Sequence, residues 1–283
     1  MHLGPRAARR LYAAAVDAAV AQLAALVAQG NAALAGDAEA GARVEAGSTF
    51  RYVRAVRFER QEGSPPVTTH AEDSAAGWFR QLAEWGVTAL WLDPRPLAVP
   101  TLAPHLLAAW TNGSRVSIVT EGAEPRLRWI ASRHVDRVPT EADERVWAVH
   151  CVGRPDIADL APRPTIPEAA AALEALVRAA RELARRMDET FWGGQLERAL
   201  ARLTDDDPAT KHHDDVLPPS AELDRRRLFA AAVGAYVFGG MGTWNDIGPP
   251  PDDEEANAEY DRVTPALYAA VLDAVAAAVN PRR

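Results

Sequence analysis

Three short stretches follow one another in the first half of the chain: SRVSIVT (114–120), RLRWIASRH (126–134) and RVWAVHCV (145–152). Each alternates apolar with polar residues and is rich in valine, isoleucine or tryptophan, which is typical of β-strands. Short connections at 121–125 and 139–143 predict that neighbouring strands run antiparallel. These three strands decide the fold class, because they predict a sheet in the first half of the chain.

The remaining periodic segments complete the architecture. Two more strands are predicted around Tyr52–Phe58 and at VTALWL (87–92). Apolar residues at helical spacing, with proline and glycine at the ends, predict helices at 7–29, 71–85, 99–111, 167–187, 190–204, 220–238 and 264–280.

These segments predict an α+β fold with an antiparallel or mixed sheet in the N-terminal half, packed against a mostly helical C-terminal half. We expect one domain over 1–283. The proline-rich segment 155–167 divides a sheet-containing part (1–154) from a helical part (166–283), either as a linker or as a crossing within the domain.

Composition limits the classes of partner and compartment. The chain has 283 residues, a net charge of −8 and a pI of about 5.4, which disfavours binding to nucleic-acid phosphates. Cys151 is the single cysteine, so no internal disulfide can form. No secretion signal and no apolar run of the ~20 residues needed to span a membrane are evident. The arginine- and alanine-rich composition is typical of high-GC genomes, and we expect a soluble bacterial cytoplasmic protein.

The strand pattern predicts one apolar and one polar sheet face. With turns centred on Ala123-Glu124 and on Thr140, the core face carries Trp129 and Cys151. The opposite face is mostly polar and carries Arg115, Ser117, Arg128, Ser132, His134 and His150, with small and apolar residues between them. This face is either a solvated sheet surface or a floor on which arginine and histidine bind an anion. Cys151 is expected to be inert because it points into the core.

The segment LTDDDPATKHHDDVLPPS (203–220) is the densest polar cluster, with five aspartates and two histidines. Imidazole and carboxylate groups are ligands of zinc, manganese and iron. The metal-binding candidates are His212, His213 and Asp215, completed by a ligand from elsewhere. A solvated loop without metal is the alternative, because the residues lack the spacing of a helical metal motif.

The segment YVFGGMGTWNDIGPPPDDEE (236–255) places three glycines at the end of a predicted helix. Helix carbonyls favour a cation there and disfavour phosphate. Trp244, Asn245 and Asp246 are therefore candidate ligand-binding residues. Alternatively, the tryptophan fills the core and the two polar residues close the turn.

No motif assigns a function. Our first hypothesis is a non-catalytic protein without a cofactor, which binds an unknown protein partner or a small molecule through the sheet face or the glycine-tryptophan loop. The alternative is a hydrolase with one divalent metal ion held by the His/Asp cluster and Asp246. A third hypothesis is an enzyme that uses Arg128, His134 and His150 on an anionic substrate.

Overall fold

A computed structural model shows the protein as a mixed β-sheet packed against helices, which confirms the α+β class. The structure describes residues 18–95, 103–108, 116–136, 143–156, 163–210, 212–239 and 242–282. Predictions that fall on 7–17, 99–102, 109–111, 139–142 and 157–162 lie outside the described residues.

Six strands form one sheet with the order β2-β1-β6-β5-β4-β3. Their bounds are Val53–Glu62 (β1), Val67–Glu72 (β2), Ala89–Asp93 (β3), Ser117–Glu121 (β4), Leu127–Val135 (β5) and Trp147–Pro155 (β6). All neighbours are antiparallel except β1 and β6, which run parallel. The sheet is therefore mixed, and β2 and β3 form its two edges.

The helices of the described residues lie before, between and after the strands. They are α1 (Ala18–Leu34), α2 (Ala40–Ala46), α3 (Ala75–Glu84), α4 (Pro104–Leu107), α5 (Ile166–Arg186), α6 (Thr190–Arg202), α7 (Leu223–Ala235) and α8 (Glu254–Val279). The helices predicted at 167–187 and 190–204 are confirmed within one or two residues.

The helix predicted at 220–238 is shorter, at Leu223–Ala235, and two other predicted helix starts are wrong. The helix expected from residue 71 begins at Ala75, because residues up to Glu72 belong to the edge strand β2. The last helix was expected to begin at Thr264-Pro265, but α8 begins ten residues earlier, at Glu254, and contains Pro265 in its interior. Its start is capped by Asp253, whose side chain accepts a hydrogen bond from the Ala256 N–H at 2.9 Å.

The face assignment of the three central strands is confirmed. Ile118 pairs with Trp129, which agrees with a turn centred on Ala123-Glu124. Trp129 pairs with Gly153, whereas a turn centred on Thr140 would place it opposite Cys151. The register is thus shifted by two residues, and a shift of two leaves every side chain on its predicted face.

The inner face of the sheet packs against α3 through aromatic rings. Phe58 stacks on Trp78 with ring centroids 4.4 Å apart, and Trp129 meets Trp78 edge-on at 5.1 Å. Gly153 is required opposite Trp129, because a Cβ at this position would lie 2.6 Å from the indole ring. The Trp129 ring can therefore pack in the core only because the residue opposite it on β6 is a glycine.

Helix α1 lies between the sheet and the C-terminal helices. It contacts α3, β3 and α8, and every residue from Ala19 to Gly30 is buried. A helix that is buried all round is a central core helix. The C-terminal helices pack in sequence as α5 on α6, α6 on α7 and α7 on α8, and α8 also lies against α5.

Helix α8 is the one helix of the described residues whose length and apolar composition would suffice to cross a membrane. Of its most apolar window, 67% is buried inside the fold. This burial is what a central core helix shows, and α8 contacts α1, α4, α5, α7 and β3.

The edge strand β3 is completed by two asparagine side chains. Asn31 of α1 donates to the Leu90 carbonyl at 2.9 Å and accepts from the Leu90 N–H at 2.8 Å. Asn280, at the end of α8, accepts from the Leu92 N–H at 2.7 Å and donates to the Leu92 carbonyl at 3.1 Å. The backbone N–H and C=O groups of alternate residues on an edge strand have no strand partner, and these amides bond the groups of Leu90 and Leu92. The Asn280 bonds also fix the end of α8 against β3, and the Asn31 bonds fix α1 there.

Candidate ligand-binding cleft

The glycine-tryptophan loop is packed into the core. Trp244 is 0% exposed, its indole Nε1 donates to Thr264 Oγ1 at 3.0 Å, and its carbonyl accepts from the Tyr260 hydroxyl at 2.8 Å. Trp192, which precedes two glycines, is buried as well and is only 2% exposed. The Trp244 ring anchors the loop to α8 and is turned away from solvent.

The two polar residues of this loop have structural partners. Asp246 accepts hydrogen bonds from the backbone N–H groups of Gly242 and Thr243, so its carboxylate closes the loop on itself. Asn245 Nδ2 donates to the His105 carbonyl at 3.0 Å and thereby holds α4. The loop thus positions the helix that carries His105.

The structure separates the three candidates on the polar sheet face. His134 is exposed, whereas His150 Nε2 lies 3.1 Å from Glu59 Oε2. Arg128 lies at the other end of β5 and donates to Asp93 at 2.7 Å and to Asp156 at 3.0 Å. The face therefore carries separate ion pairs, and these three side chains do not form one cluster.

The predicted metal ligands lie beside the turn at Ser48. The Ser48 hydroxyl donates to Asp215 Oδ1 at 2.6 Å and lies 3.3 Å from His213 Nδ1. The rings of His212 and His213 have centroids 6.3 Å apart. Across the described ranges, no three His, Cys, Asp or Glu side chains are grouped as a metal site would require. In a nucleophilic triad the aspartate bonds the histidine and the histidine bonds the serine. Here Ser48 lies between His213 and Asp215, so this order is not met.

Cys151 is buried in the core, as the strand pattern predicts. Burial raises the pKa of its thiol to about 12. A thiol with this pKa stays protonated near neutral pH and is a poor nucleophile.

Two adjoining cavities form a cleft at the end of β3, between this strand and helices α4, α5 and α8. The larger chamber has a volume of about 640 Å3 and the smaller about 360 Å3. Both are lined by Pro94, Arg163 and Pro164. Their combined volume is that of a site for a small organic molecule.

Helix α8 supplies one continuous wall of this cleft. Tyr268, Ala269, Leu272 and Asp273 line the larger chamber, and Ala276, Ala277 and Asn280 line the smaller. These positions recur at intervals of three and four residues and therefore share one helix face. The wall is apolar except for Asp273 and Asn280, and Asn280 is already bonded to β3.

The opposite wall comes from the end of β3 and the start of α5. The Arg163 guanidinium lies over the Trp91 ring, 3.7 Å from its centroid, where the two chambers meet. Helix α5 begins with a capping box, in which Glu168 Oε2 accepts from the Thr165 N–H at 2.8 Å and from its hydroxyl at 2.7 Å. This cap fixes the chain that carries Arg163.

The arginines of the larger chamber are paired with carboxylates, whereas Arg225 of the smaller chamber donates to the Ala278 and Asn280 carbonyls at 2.9 and 2.7 Å. Arg95 donates to Asp93 at 3.2 and 3.3 Å, and Arg163 lies 3.7 Å from Glu121. Burial alone would raise the pKa of Asp93, but hydrogen bonds from Arg95 and Arg128 outweigh it and hold the pKa below its usual value. Asp93 therefore stays ionised and neutralises its arginines.

Asp273 differs from these carboxylates because it has no hydrogen-bond or ion-pair partner among the described residues. Burial raises the pKa of Asp273, and no neighbouring cation offsets the loss of hydration. It lines the larger chamber together with His105, whose pKa is lowered, chiefly by burial. His105 Nδ1 is also buried without a hydrogen-bond partner. A carboxyl and an imidazole with perturbed pKa values in one cleft mark a candidate functional site.

Sequence reasoning missed this cleft because its residues come from five separate segments, including Asp224 and Arg225 at the start of α7. The available signal was Asp273, an acidic residue inside the otherwise apolar run VTPALYAAVLDAVAAAV (263–279) of the last helix. Interrupted apolarity on a core helix marks a position where the helix faces a polar group, solvent or a cavity.

Comparison of the chain with protein-family models, with curated proteins and with solved structures found no match to any of them.

Proposed function

We propose that this protein binds a small organic molecule in the cleft formed by β3, α4, α5 and α8. One observation carries the proposal: two adjoining cavities of about 640 and 360 Å3 are lined mainly by apolar side chains, with a few polar groups among them. Such a combination of volume, apolar walls and sparse polar groups is the usual character of ligand sites. The hypothesis of a non-catalytic binding protein is thereby narrowed to a small-molecule ligand.

The rigidity of the walls supports this proposal. Asn280 fastens α8 to β3, the capping box fixes the start of α5, and Asn245 holds α4. A cleft whose walls are held by buried or capping hydrogen bonds is largely preformed. A preformed site lowers the ordering cost of binding.

The test is a thermal-shift screen of chemically diverse small compounds against the wild type and Ala269→Trp. Ala269 is exposed and lines the larger chamber, so an indole at this position fills the chamber without entering the core. A compound at a hundredfold excess over its Kd stabilises the native state by ~2.7 kcal/mol. We expect compounds that raise the Tm of the wild type and leave that of Ala269→Trp unchanged.

Ala258→Trp is the matched control, because Ala258 is an exposed alanine of the same helix outside the cleft lining. Compounds that bind in the cleft should stabilise this variant as they do the wild type. The proposal fails when no compound stabilises the wild type, or when the compounds stabilise Ala269→Trp equally.

A further inference from the structure

We infer that the ligand of this cleft is an organic cation, a protonated amine attached to an apolar body, with the Asp273 carboxylate as its counter-ion. This inference rests on the proposed function and adds the chemical class of the ligand. It follows from which charges in the larger chamber are already paired and which are not.

The cations of the larger chamber, Arg95 and Arg163, are neutralised by groups of the protein itself. Arg95 is paired with Asp93, and Arg163 has Glu121 at 3.7 Å and the face of Trp91 at 3.7 Å from its guanidinium carbon. A ligand carboxylate or phosphate would have to compete with these partners for each guanidinium. The larger chamber therefore offers an anion little uncompensated positive charge.

The anions of the larger chamber are less fully paired. Asp273 has no partner among the described residues. The Glu168 cap uses one carboxylate oxygen, Oε2, for both hydrogen bonds from Thr165. Hydrogen bonds from Thr165 lower the pKa of Glu168, so this second carboxylate of the chamber remains ionised. The uncompensated charge of the chamber is negative and complements a cation.

The shape of the cleft gives the rest of the ligand. Asp273 lies three and four residues before Ala276 and Ala277 on α8, which is about one helical turn, or ~5 Å, from the smaller chamber. Most residues that line that chamber are apolar, among them prolines, alanines and Leu92, and its charged residues include Arg225 and Arg282. An ammonium group at Asp273 would thus leave an attached aryl or alkyl group against apolar walls, where its burial contributes to affinity.

The experiment compares three probes that share one skeleton: phenethylamine, phenethyl alcohol and hydrocinnamate. Their Kd values for the wild-type chain are measured by calorimetry at neutral pH. We expect the amine to bind about tenfold more tightly than the alcohol, because a hydrogen bond to a charged partner adds that much, and the carboxylate to bind most weakly. In Asp273→Asn the amine should lose its advantage while the Kd of the alcohol changes less than about twofold.

Asp252→Asn is the control, because it removes the same charge from an exposed position outside the cleft lining. It should leave the preference for the amine intact. Loss of folding does not confound the main variant, since Asp273 is desolvated without a partner and its asparagine variant should be at least as stable as the wild type.

Equal or tighter binding of the alcohol or the carboxylate overturns the cation assignment, while binding itself still supports the proposed function. The assignment is also overturned when Asp273→Asn retains the full preference for the amine, or when none of the three probes binds the wild type. In that last case the Ala269→Trp screen decides separately whether the cleft binds any small molecule.

Discussion

Replacing Asn280 with alanine removes both groups that satisfy the outer edge of β3 at Leu92. In the native protein the Asn280 side chain accepts from the Leu92 N–H at 2.7 Å and donates to the Leu92 carbonyl at 3.1 Å. Both residues are buried, with exposed fractions of 7% for Asn280 and 2% for Leu92. The variant therefore leaves a buried donor and a buried acceptor without their partners.

The cost follows from the number of groups and from the neighbouring cavity. Each buried polar group left unsatisfied costs about 1–3 kcal/mol, so the two groups of Leu92 set a range of about 2–6 kcal/mol. Leu92 and Asn280 both line the smaller chamber, and water from that chamber can reach the freed groups. We therefore expect a loss near the lower end, about 2–3 kcal/mol in the free energy of unfolding.

Urea unfolding measures this loss, and Asn257→Ala is the control. Asn257 lies on the same helix and also makes two hydrogen bonds, at 2.8 Å to the Pro250 carbonyl and 2.7 Å to the Asp253 carbonyl, but closer to solvent. The control should lose less than about 1 kcal/mol. Equal losses in the two alanine variants would refute the role of Asn280 in completing β3.

Asn280→Asp adds a pH signature. Its ionised carboxylate can still accept from the Leu92 N–H, but it sets a negative oxygen against the Leu92 carbonyl. A protonated carboxyl can donate to that carbonyl as the amide does. The folded state therefore raises the pKa of the new carboxyl, and the stability lost at neutral pH should return as the pH falls below this raised pKa. A deficit that does not change with pH would contradict this geometry.

Three further predictions concern buried polar groups away from the β3 edge. Arg128→Met removes the guanidinium shared by Asp93 and Asp156 but leaves them Arg95 and Arg126, so urea unfolding should show a loss of about 2–4 kcal/mol; a loss below about 1 kcal/mol would contradict the pairing. Burial raises the pKa of Cys151 to about 12, so the native thiol should resist Ellman's reagent and react only after unfolding in urea; rapid labelling of folded protein would disprove its burial. Burial lowers the pKa of His213 below its ordinary value of 6.5, so the folded state resists protonation and stability should fall as the pH decreases below 6.5. His213→Asn suits the backbone φ of 70° at this position and should flatten that dependence in Tm measurements, whereas an unchanged slope would assign it to other groups.

The sheet faces were predictable from the sequence because side chains alternate strictly along a strand. Trp129 and Cys151 fall on the same face in any register that shifts by an even number of residues. Hydrophobic alternation therefore fixed the faces of β4, β5 and β6 but could not distinguish the observed pairing of Trp129 with Gly153 from a pairing with Cys151. The close packing of Gly153 on the Trp129 ring favours the observed register. This contact could not be predicted, because alternation does not show which residue lies opposite Trp129.

The start of α8 was not predictable by local rules. Proline inside a helix costs about 3 kcal/mol, so Thr264-Pro265 resembled a helix start. In the structure Thr264 and Tyr260 hold Trp244 on the same helix turn, and these tertiary contacts stabilise a helix that continues through the proline. Tertiary packing overrides the local preference of proline, and for this reason the helix that carries Asp273 is longer than the sequence predicted.

The candidate residues chosen from the sequence lie in segments of high polarity or unusual composition. Asn245 was found by such a signal, and the structure places it beside the larger chamber, where it holds the His105 carbonyl. Trp91 and Arg163 carry no local signature, because each becomes a site residue only when β3, α5 and α8 meet, and Asp273 is marked only by its place in an apolar run. Sites assembled by packing are therefore the part of this protein that sequence patterns cannot give.

Asp273 is the residue through which the cleft is best tested, because its position has a cost that nothing in the described fold offsets. An apolar residue at 273 would suit a helix face formed by Ala269, Leu272 and Ala276, whereas a desolvated carboxyl destabilises the folded state near neutral pH. A fold that tolerates such a group without pairing it commonly uses it at a functional site. An Asp273→Ala variant that is more stable than the wild type would show that the carboxyl destabilises the fold. Loss of amine binding in the same variant would show that the carboxyl binds the ligand.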